Sequence, residues 1–289
     1  MPGVVLAGVV DTNGPRAAEI AAPSGARAVT DVREILDEVD LVSIATPTEV
    51  HHAVASVCLA RGIPVLVEKP LARSVAECDA MIAEAARTGT ILAVGHTERF
   101  NPAVMAARSA VDKPGFIEVH RLGTFPARSL DIDVVFDLMI HDLDLVLSMV
   151  SSPIEAIEAV GVPVLTDRAD IANARIRFQS GCVANITASR ISRDRVRKIR
   201  FFQRDAYISI DCGAREAEVY RLVRQPGQRP LIEGGKITVV DSEPLRNELD
   251  DFVAAVRERR QPMVGGVDGR NAVVLAEQIT ERMAACTRI

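Results

Sequence analysis

The chain has 289 residues, 48% of them hydrophobic, with a formal net charge of -5 and a pI near 5.6; that length buries one large core or two. The acidic balance, 3% aromatic content and absence of tryptophan exclude a dedicated nucleic-acid or anionic-membrane surface and a stacking platform for single strands. Five scattered cysteines (Cys58, Cys78, Cys182, Cys212, Cys286) without a C-x-x-C pair point to free thiols in a reducing cytoplasm, and no apolar run is long enough to span a bilayer, so the expected partners are small molecules or further copies of the chain.

Residues 4–10 form a β-branched run without a basic leader, which reads as a strand and not as a signal peptide. The run closes on Asp11. An acid at such a tip suits the adenosine ribose hydroxyls of a dinucleotide, and with Thr12 and Asn13 beside it favours NAD over NADP; a turn or helix cap would use the same residue. A helix over 16–22, a strand over 28–30, a helix over 31–38 and a strand over 40–45 follow. That strand ends in Thr46-Pro47-Thr48. A helix over 50–61 carries His51 and His52 in its first turn and stops at Gly62. Next comes Val65-Leu66-Val67-Glu68-Lys69-Pro70, an apolar strand delivering an acid and a base to the carboxyl edge of the sheet, where open α/β sheets bind ligands. Pro70 restricts the backbone of Lys69 and so the direction in which the lysine leaves; an ordinary Glu/Lys pair at a strand end is the plain alternative. A helix over 74–87 and a strand over 91–94 complete an alternation that predicts a parallel sheet with helices on both faces.

One piece of that fold is missing. No G-x-G-x-x-G turn occurs in the sequence, and Met1 falls just before what would be the second strand, so a strand and helix of about 25 to 30 residues is absent. Its slot lies mid-sheet, and leaving it empty would strand the backbone groups of both neighbours. The expectation is an N-terminally truncated chain, or a slot filled by another segment.

Beyond the polar stretch 95–102 the pattern changes. Residues 116–122, 154–161, 173–178, 183–188, 197–202, 206–211 and 219–223 read as strands of a mostly antiparallel sheet, with Gln179-Ser180-Gly181 as one of its turns. The division predicted is 1–103 for the dinucleotide-binding domain and 104–289 for a substrate and oligomerisation domain. The predicted fold class is α/β plus α+β, an incomplete Rossmann sheet followed by an open antiparallel sheet. Helices over 245–259 and 270–285 close the chain and are expected to pack back on the first domain. An apolar sheet face left uncovered predicts a homodimer or homotetramer.

A helix over 134–149 carries Asp137 and His141, four residues apart and so on one face. Histidine takes a proton near neutral pH, and a neighbouring carboxylate would orient it. A histidine satisfied by a local hydrogen bond is the plain alternative. A metal site with Asp137, His141 and Asp144 lacks a distant further ligand, and no metal is expected.

Glu68-Lys69-Pro70, Ala45-Thr46-Pro47-Thr48, Gly95-His96 leading to Arg99-Phe100-Asn101-Pro102, and Asp137-x-x-x-His141 together resemble the Gfo/Idh/MocA oxidoreductase family. Glu243-Pro244-Leu245 with Asp250, Phe252 and Val256, then Asp268-Gly269, resemble its C-terminal signature. The resemblance implies nicotinamide-dependent chemistry on a sugar or cyclitol hydroxyl. Lys69 would polarise the reacting hydroxyl, His141 would act as general acid/base and Asp137 would orient substrate or histidine. Asp11, Thr46, Pro47, Thr48, His51, Glu68 and Lys69 would bind NAD. Glu118-Val119-His120-Arg121-Leu122-Gly123 and the lead from Arg128 into the helix resemble the family's UDP-N-acetylglucosamine 3-dehydrogenase branch. Arg99, Asn101, Arg121 and Arg128 would then contact substrate, the arginines through its diphosphate. A dehydrogenase of free sugar or inositol, and a catalytically silent binding subunit, stay open beside it.

Overall fold

A computed structural model describes residues 1–125 and 132–286. The chain divides into two units, residues 1–95 with 249–270 and residues 96–248 with 271–289. The first boundary falls at 95/96 instead of 103/104 because the segment after Gly95 is committed to the second unit through buried ion pairs described below.

In the first unit β1 (Gly8–Val10), α1 (Gly14–Ala21) and β2 (Arg27–Val29) form a parallel β-α-β element. Asn13 opens α1 by accepting the Arg16 N–H, with Pro15 in the first turn, and Ala17 and Ala21 are its buried face. The helix expected over 31–38 is instead two single 3-10 turns, Val32–Glu34 and Leu36–Glu38. Asp31 and Glu34 make a reciprocal capping box, yet Ile35 leaves the helical region at φ −124° and β-branched Val32, Ile35 and Val39 give propagation little support. Then come β3 (Val42–Ile44), α2 (Thr48–Ala60), β4 (Val65–Glu68), α3 (Val75–Thr88) and β5 (Leu92–Gly95), with β3-β4-β5 a parallel sheet. Val65, Leu66 and Val67 are all buried, the continuous apolar run of a strand covered on both faces. Ser74 caps α3 and Gly89, at φ 66°, ends it.

The parallel strands do not form one sheet. β1-β2 and β3-β4-β5 are separate, so β1 and β3 each keep an edge without a strand partner among the described residues. In the dinucleotide-fold order these strands take places on either side of the fold's first strand. The split falls between those two places, and Val5 and Leu6, expected in β1, are exposed at 85% and 52%. Residues 249–270 complete the unit. Phe252 is buried with Leu66 and Ala93, and the Val94 N–H donates to the Val264 carbonyl. Gly269 is required by close approach, since a Cβ there would lie 2.8 Å from a Val94 methyl.

The second unit opens with a 3-10 turn (Thr97–Phe100) and the short helix α4 (Pro102–Ala107), which periodicity could not reveal in six residues although Asn101-Pro102 is a cap and first-turn signal. Its eight-stranded sheet contains β6 (Phe116–Leu122), β7 (Ile154–Val162), β8 (Ile171–Phe178), β9 (Val183–Ser189), β10 (Val196–Gln203), β11 (Ala206–Asp211), β12 (Glu216–Val223) and β13 (Leu231–Lys236) in the order β13-β12-β11-β10-β6-β9-β8-β7. All pairs are antiparallel except β6 with β9. Gly181, at φ 86°, turns β8 into β9. β13 was not foreseen because Gly234-Gly235 reads as a turn; both have φ above 130°, and a Cβ on Gly234 would meet the Val219 carbonyl.

Alternate residues of the strands, among them Ile117, Val119, Ile176, Phe178, Ile186, Ile199, Phe201, Ile208 and Ile210, form a core with α5 (Ile140–Met149) and with Leu275, Ala276, Ile279 and Met283 of α7 (Gly266–Cys286). Between the two comes α6 (Pro244–Glu258). The opposite sheet face is mixed, not simply apolar as expected. It carries a ladder of aromatic rings, Phe116, Phe202, Tyr207 and Tyr220, beside the cross-strand ion pair Arg200–Glu118. Cys58, Cys78, Cys182 and Cys212 are buried free thiols; burial pushes Cys58 and Cys182 each up to about 11.

Candidate functional site

In the first unit the carboxyl ends of β3, β4 and β5 bring several of the expected residues together. Thr46 follows β3, and its Oγ1 is buried without a hydrogen-bond partner among the described residues. An unpartnered buried hydroxyl is costly, and such a group at a ligand-binding edge is available to a ligand. Pro47 precedes α2 as its cap, and Thr48 begins that helix. Glu68 ends β4, where Gly95 of β5 gives it room, a Cβ there meeting Glu68 atoms at 3.1 Å. Burial pushes the Glu68 carboxyl above its ordinary value, and the Lys69 N–H and the charges of Lys69 and His51 oppose that rise. Lys69 is half-buried on the turn leaving the strand, joined to the buried Pro70 through a cis peptide. Asp11 is at the tip of β1, where its carboxylate accepts the Asn13 N–H at 2.8 Å and lies 3.5 Å from the exposed Arg16 guanidinium.

His51 departs from the expected cofactor role. Its ring is 1% exposed, and its nitrogens lie 2.9 Å from the Pro70 carbonyl and 2.9 Å from the Thr46 carbonyl. Both polar edges are used by the protein's own backbone, which leaves nothing to offer a nucleotide.

In the second unit the helix bearing Asp137 and His141 is not uniform. Val135–Met139 is a π turn, in which the Ile140 N–H reaches the Val135 carbonyl five residues back, and α5 continues from Ile140. Asp133 caps its start through the N–H groups of Val135 and Phe136. The wider turn shifts the angle between Asp137 and His141 away from the α-helical four-residue value, and such turns are frequent at functional sites. The His141 ring meets His96 edge-on, with centroids 6.3 Å apart and planes at 87°.

The arginines expected on a diphosphate are committed elsewhere. Arg99 holds Asp144 of α5 through two hydrogen bonds of 2.6 and 2.8 Å. Arg121 of β6 holds Asp142 through two of 2.7 and 2.9 Å and donates to Glu98 at 3.1 Å. Asn101 caps α4 and donates to Glu98 and the Cys212 carbonyl. All three are buried, at 6%, 5% and 3% exposure, so their polar groups are not presented to a substrate. Burial opposes the charge on Arg121, but Asp142 and Glu98 outweigh it and hold the guanidinium protonated. Arg128 lies outside the described residues. Asp142 and Asp144 were not singled out as partners for these arginines. The available signal was two acids beside His141 on an otherwise apolar helix, with Arg121 at a place in β6 that alternates as buried; nothing local marked Arg99, which lies in a 3-10 turn. Among the described residues no group of three or more His, Cys, Asp or Glu side chains is arranged to hold a metal ion.

Comparison with known proteins extends over both units. Residues 1–96 match the model of the oxidoreductase family with an NAD-binding Rossmann fold, and residues 105–209 match the GFO/IDH/MocA C-terminal domain. A UDP-N-acetylglucosamine 3-dehydrogenase of Acidithiobacillus ferrooxidans is 42% identical over 278 residues, 95% of this chain and 88% of that protein. The solved structure of that enzyme superimposes with a TM-score of 0.92 at 39% identity, covering 98% of this chain and 91% of the other. A myo-inositol 2-dehydrogenase of Thermotoga maritima is 28% identical over 273 residues, 86% of this chain and 79% of its own. Levoglucosan dehydrogenase in complex with NADH and levoglucosan shares the fold, with a TM-score of 0.87 at 22% identity, over 97% of this chain and 88% of that one.

Proposed function

The chain belongs to the Gfo/Idh/MocA family of NAD-binding oxidoreductases, and from that premise we propose that it oxidises a sugar-nucleotide hydroxyl, the 3-hydroxyl of UDP-N-acetylglucosamine, with NAD as acceptor. The observation that carries the substrate is the 42% identity to an enzyme of that name, sustained over 95% of the chain, against 28% to an inositol dehydrogenase. Two ends of an NAD molecule have residues that suit them. Asp11 offers a carboxylate for the ribose diol, and Thr46 has a buried hydroxyl with no partner among the described residues, with Pro47 and Thr48 following it and Glu68 at the end of the neighbouring strand. The glycine turn that holds a pyrophosphate is absent from the sequence.

Oxidation of a carbinol removes a proton from oxygen and a hydride from carbon. When bound, the nicotinamide supplies the hydride acceptor. In this reading His141 takes the hydroxyl proton and Asp137 orients the imidazole or the substrate. Lys69 donates to the oxygen as negative charge grows on it. The test is an assay of the full chain that follows reduced nicotinamide absorbance with UDP-N-acetylglucosamine and, separately, myo-inositol. Turnover with the sugar nucleotide alone is the expected result; turnover with inositol alone would replace the substrate, and none with either would leave the silent-subunit reading.

The partner proposed for the open sheet face is a second copy of the chain. The face pairs an aromatic ladder with charges of both signs, Arg200 and Lys198 beside Glu118 and Asp211, which gives a two-fold interface the self-complementarity it needs. Light scattering at micromolar concentration is expected to give a dimer or tetramer mass. A Tyr207→Arg variant is expected to be smaller, and a monomeric parent chain would dispose of the idea.

A further inference from the structure

We propose that His51 is a positioning residue for Lys69, a buried imidazolium that ties the end of β3 to the turn after β4. His51 Nδ1 lies 2.9 Å from the Pro70 carbonyl oxygen and Nε2 lies 2.9 Å from the Thr46 carbonyl oxygen. A carbonyl oxygen only accepts, so each ring nitrogen must donate, and a neutral imidazole has a single N–H. Two such bonds require hydrogen on both nitrogens. A neutral ring would set a nitrogen lone pair against a carbonyl lone pair, at 1% exposure where no water can separate them.

The two carbonyl oxygens are what stabilises the ring's charge, and the charged groups around it balance. The end of β3, Ala45-Thr46-Pro47, adds no charge of its own. At the end of β4 stand the Glu68 carboxylate and the Lys69 ammonium, of opposite sign. At the start of α3 Arg73 pairs with Glu77, which neutralises both, and on α2 Glu49 and His52 are more exposed than His51. The single ring thus fixes the distance between Thr46, whose hydroxyl has no partner among the described residues, and Pro70, the residue that follows Lys69. The lysine leaves the sheet from a turn that this cross-link holds.

The link to catalysis rests on the dehydrogenase reading, whereas the two-proton state does not, and the experiment separates them. The full chain labelled with ¹⁵N in its histidine rings is observed by long-range ¹H–¹⁵N correlation at pH 7.0. With five histidines in the chain, His51 is identified by the signals lost in His51→Gln. If that variant fails to fold, identification runs by elimination through His52→Gln, His96→Gln, His120→Gln and His141→Gln. The expected pattern for His51 is two protonated nitrogens; one protonated and one bare nitrogen in the folded protein overturns the proposal. In the kinetic arm, His51→Gln is expected to lower kcat about 10- to 100-fold with KM for the sugar nucleotide little changed, as misplacing a catalytic group does. An unchanged kcat would refute the positioning role. A parent chain with no turnover would instead count against the proposed function and leave the NMR outcome to decide the charge state.

Discussion

Lys69→Met is expected to reduce kcat for oxidation of UDP-N-acetylglucosamine by about 10²- to 10³-fold, the loss that follows removal of one donor to a developing oxyanion. Methionine keeps the length and apolar stem of lysine and loses only the ammonium, so the turn held by Glu68, Pro70 and His51 should survive. Lys69→Arg restores charge but spreads it over a planar fork, and little recovery is expected. His141→Asn should cost about 10²- to 10⁴-fold, the range for a general acid/base. The two groups serve one step, so the double variant should be far less impaired than the product of the single losses. Initial rates from nicotinamide absorbance give all four values. Turnover insensitive to both substitutions would remove these residues from the chemistry and the proposed mechanism with them.

Much of this was legible because it was local. The apolar run ending in Glu68-Lys69-Pro70 gave β4 and its edge, since a parallel strand buried on both faces needs no alternation to be recognised. Alternation gave β6 and β8 to β11 within a residue or two, because a one-sided sheet writes its buried face into the sequence. The lack of a glycine turn drew attention to the slot between β1 and β3, but that β1-β2 stands apart from β3-β4-β5 was not read from it. Long-range pairing was not legible. Arg99 and Arg121 looked like phosphate ligands because a guanidinium suits phosphate and carboxylate equally, and their acids lie 45 and 21 residues further along. His51 stood among the NAD contacts through the family resemblance. That its ring turns inward to two carbonyls depends on where Pro70 arrives, which no local pattern encodes. The π turn at Val135–Met139 is likewise invisible to a rule that assumes one helical period.

Arg121→Met should unfold the second unit more easily by about 3 to 5 kcal/mol, because it leaves Asp142 and Glu98 buried with their main cationic partner gone. Asp142 is 2% exposed and cannot turn to water, and among the described residues Glu98 keeps Asn101 and the more distant Arg197, at 3.8 Å. A substrate-binding arginine would behave differently, its loss raising KM while stability stayed level. Urea denaturation followed by tyrosine fluorescence separates the two. The chain has two tyrosines and no tryptophan, and Tyr207 and Tyr220 both belong to the second unit's sheet, so the signal reports that unit alone. The paired variant Arg121→Met with Asp142→Leu should recover most of the lost stability, since replacing a buried ion pair by apolar groups of similar size is often neutral or better. High salt should change the parent transition little through this pair, because buried charges are screened far less than exposed ones. If Arg121→Met denatures at the parent's urea concentration and only its KM rises, the guanidinium faces substrate and not Asp142.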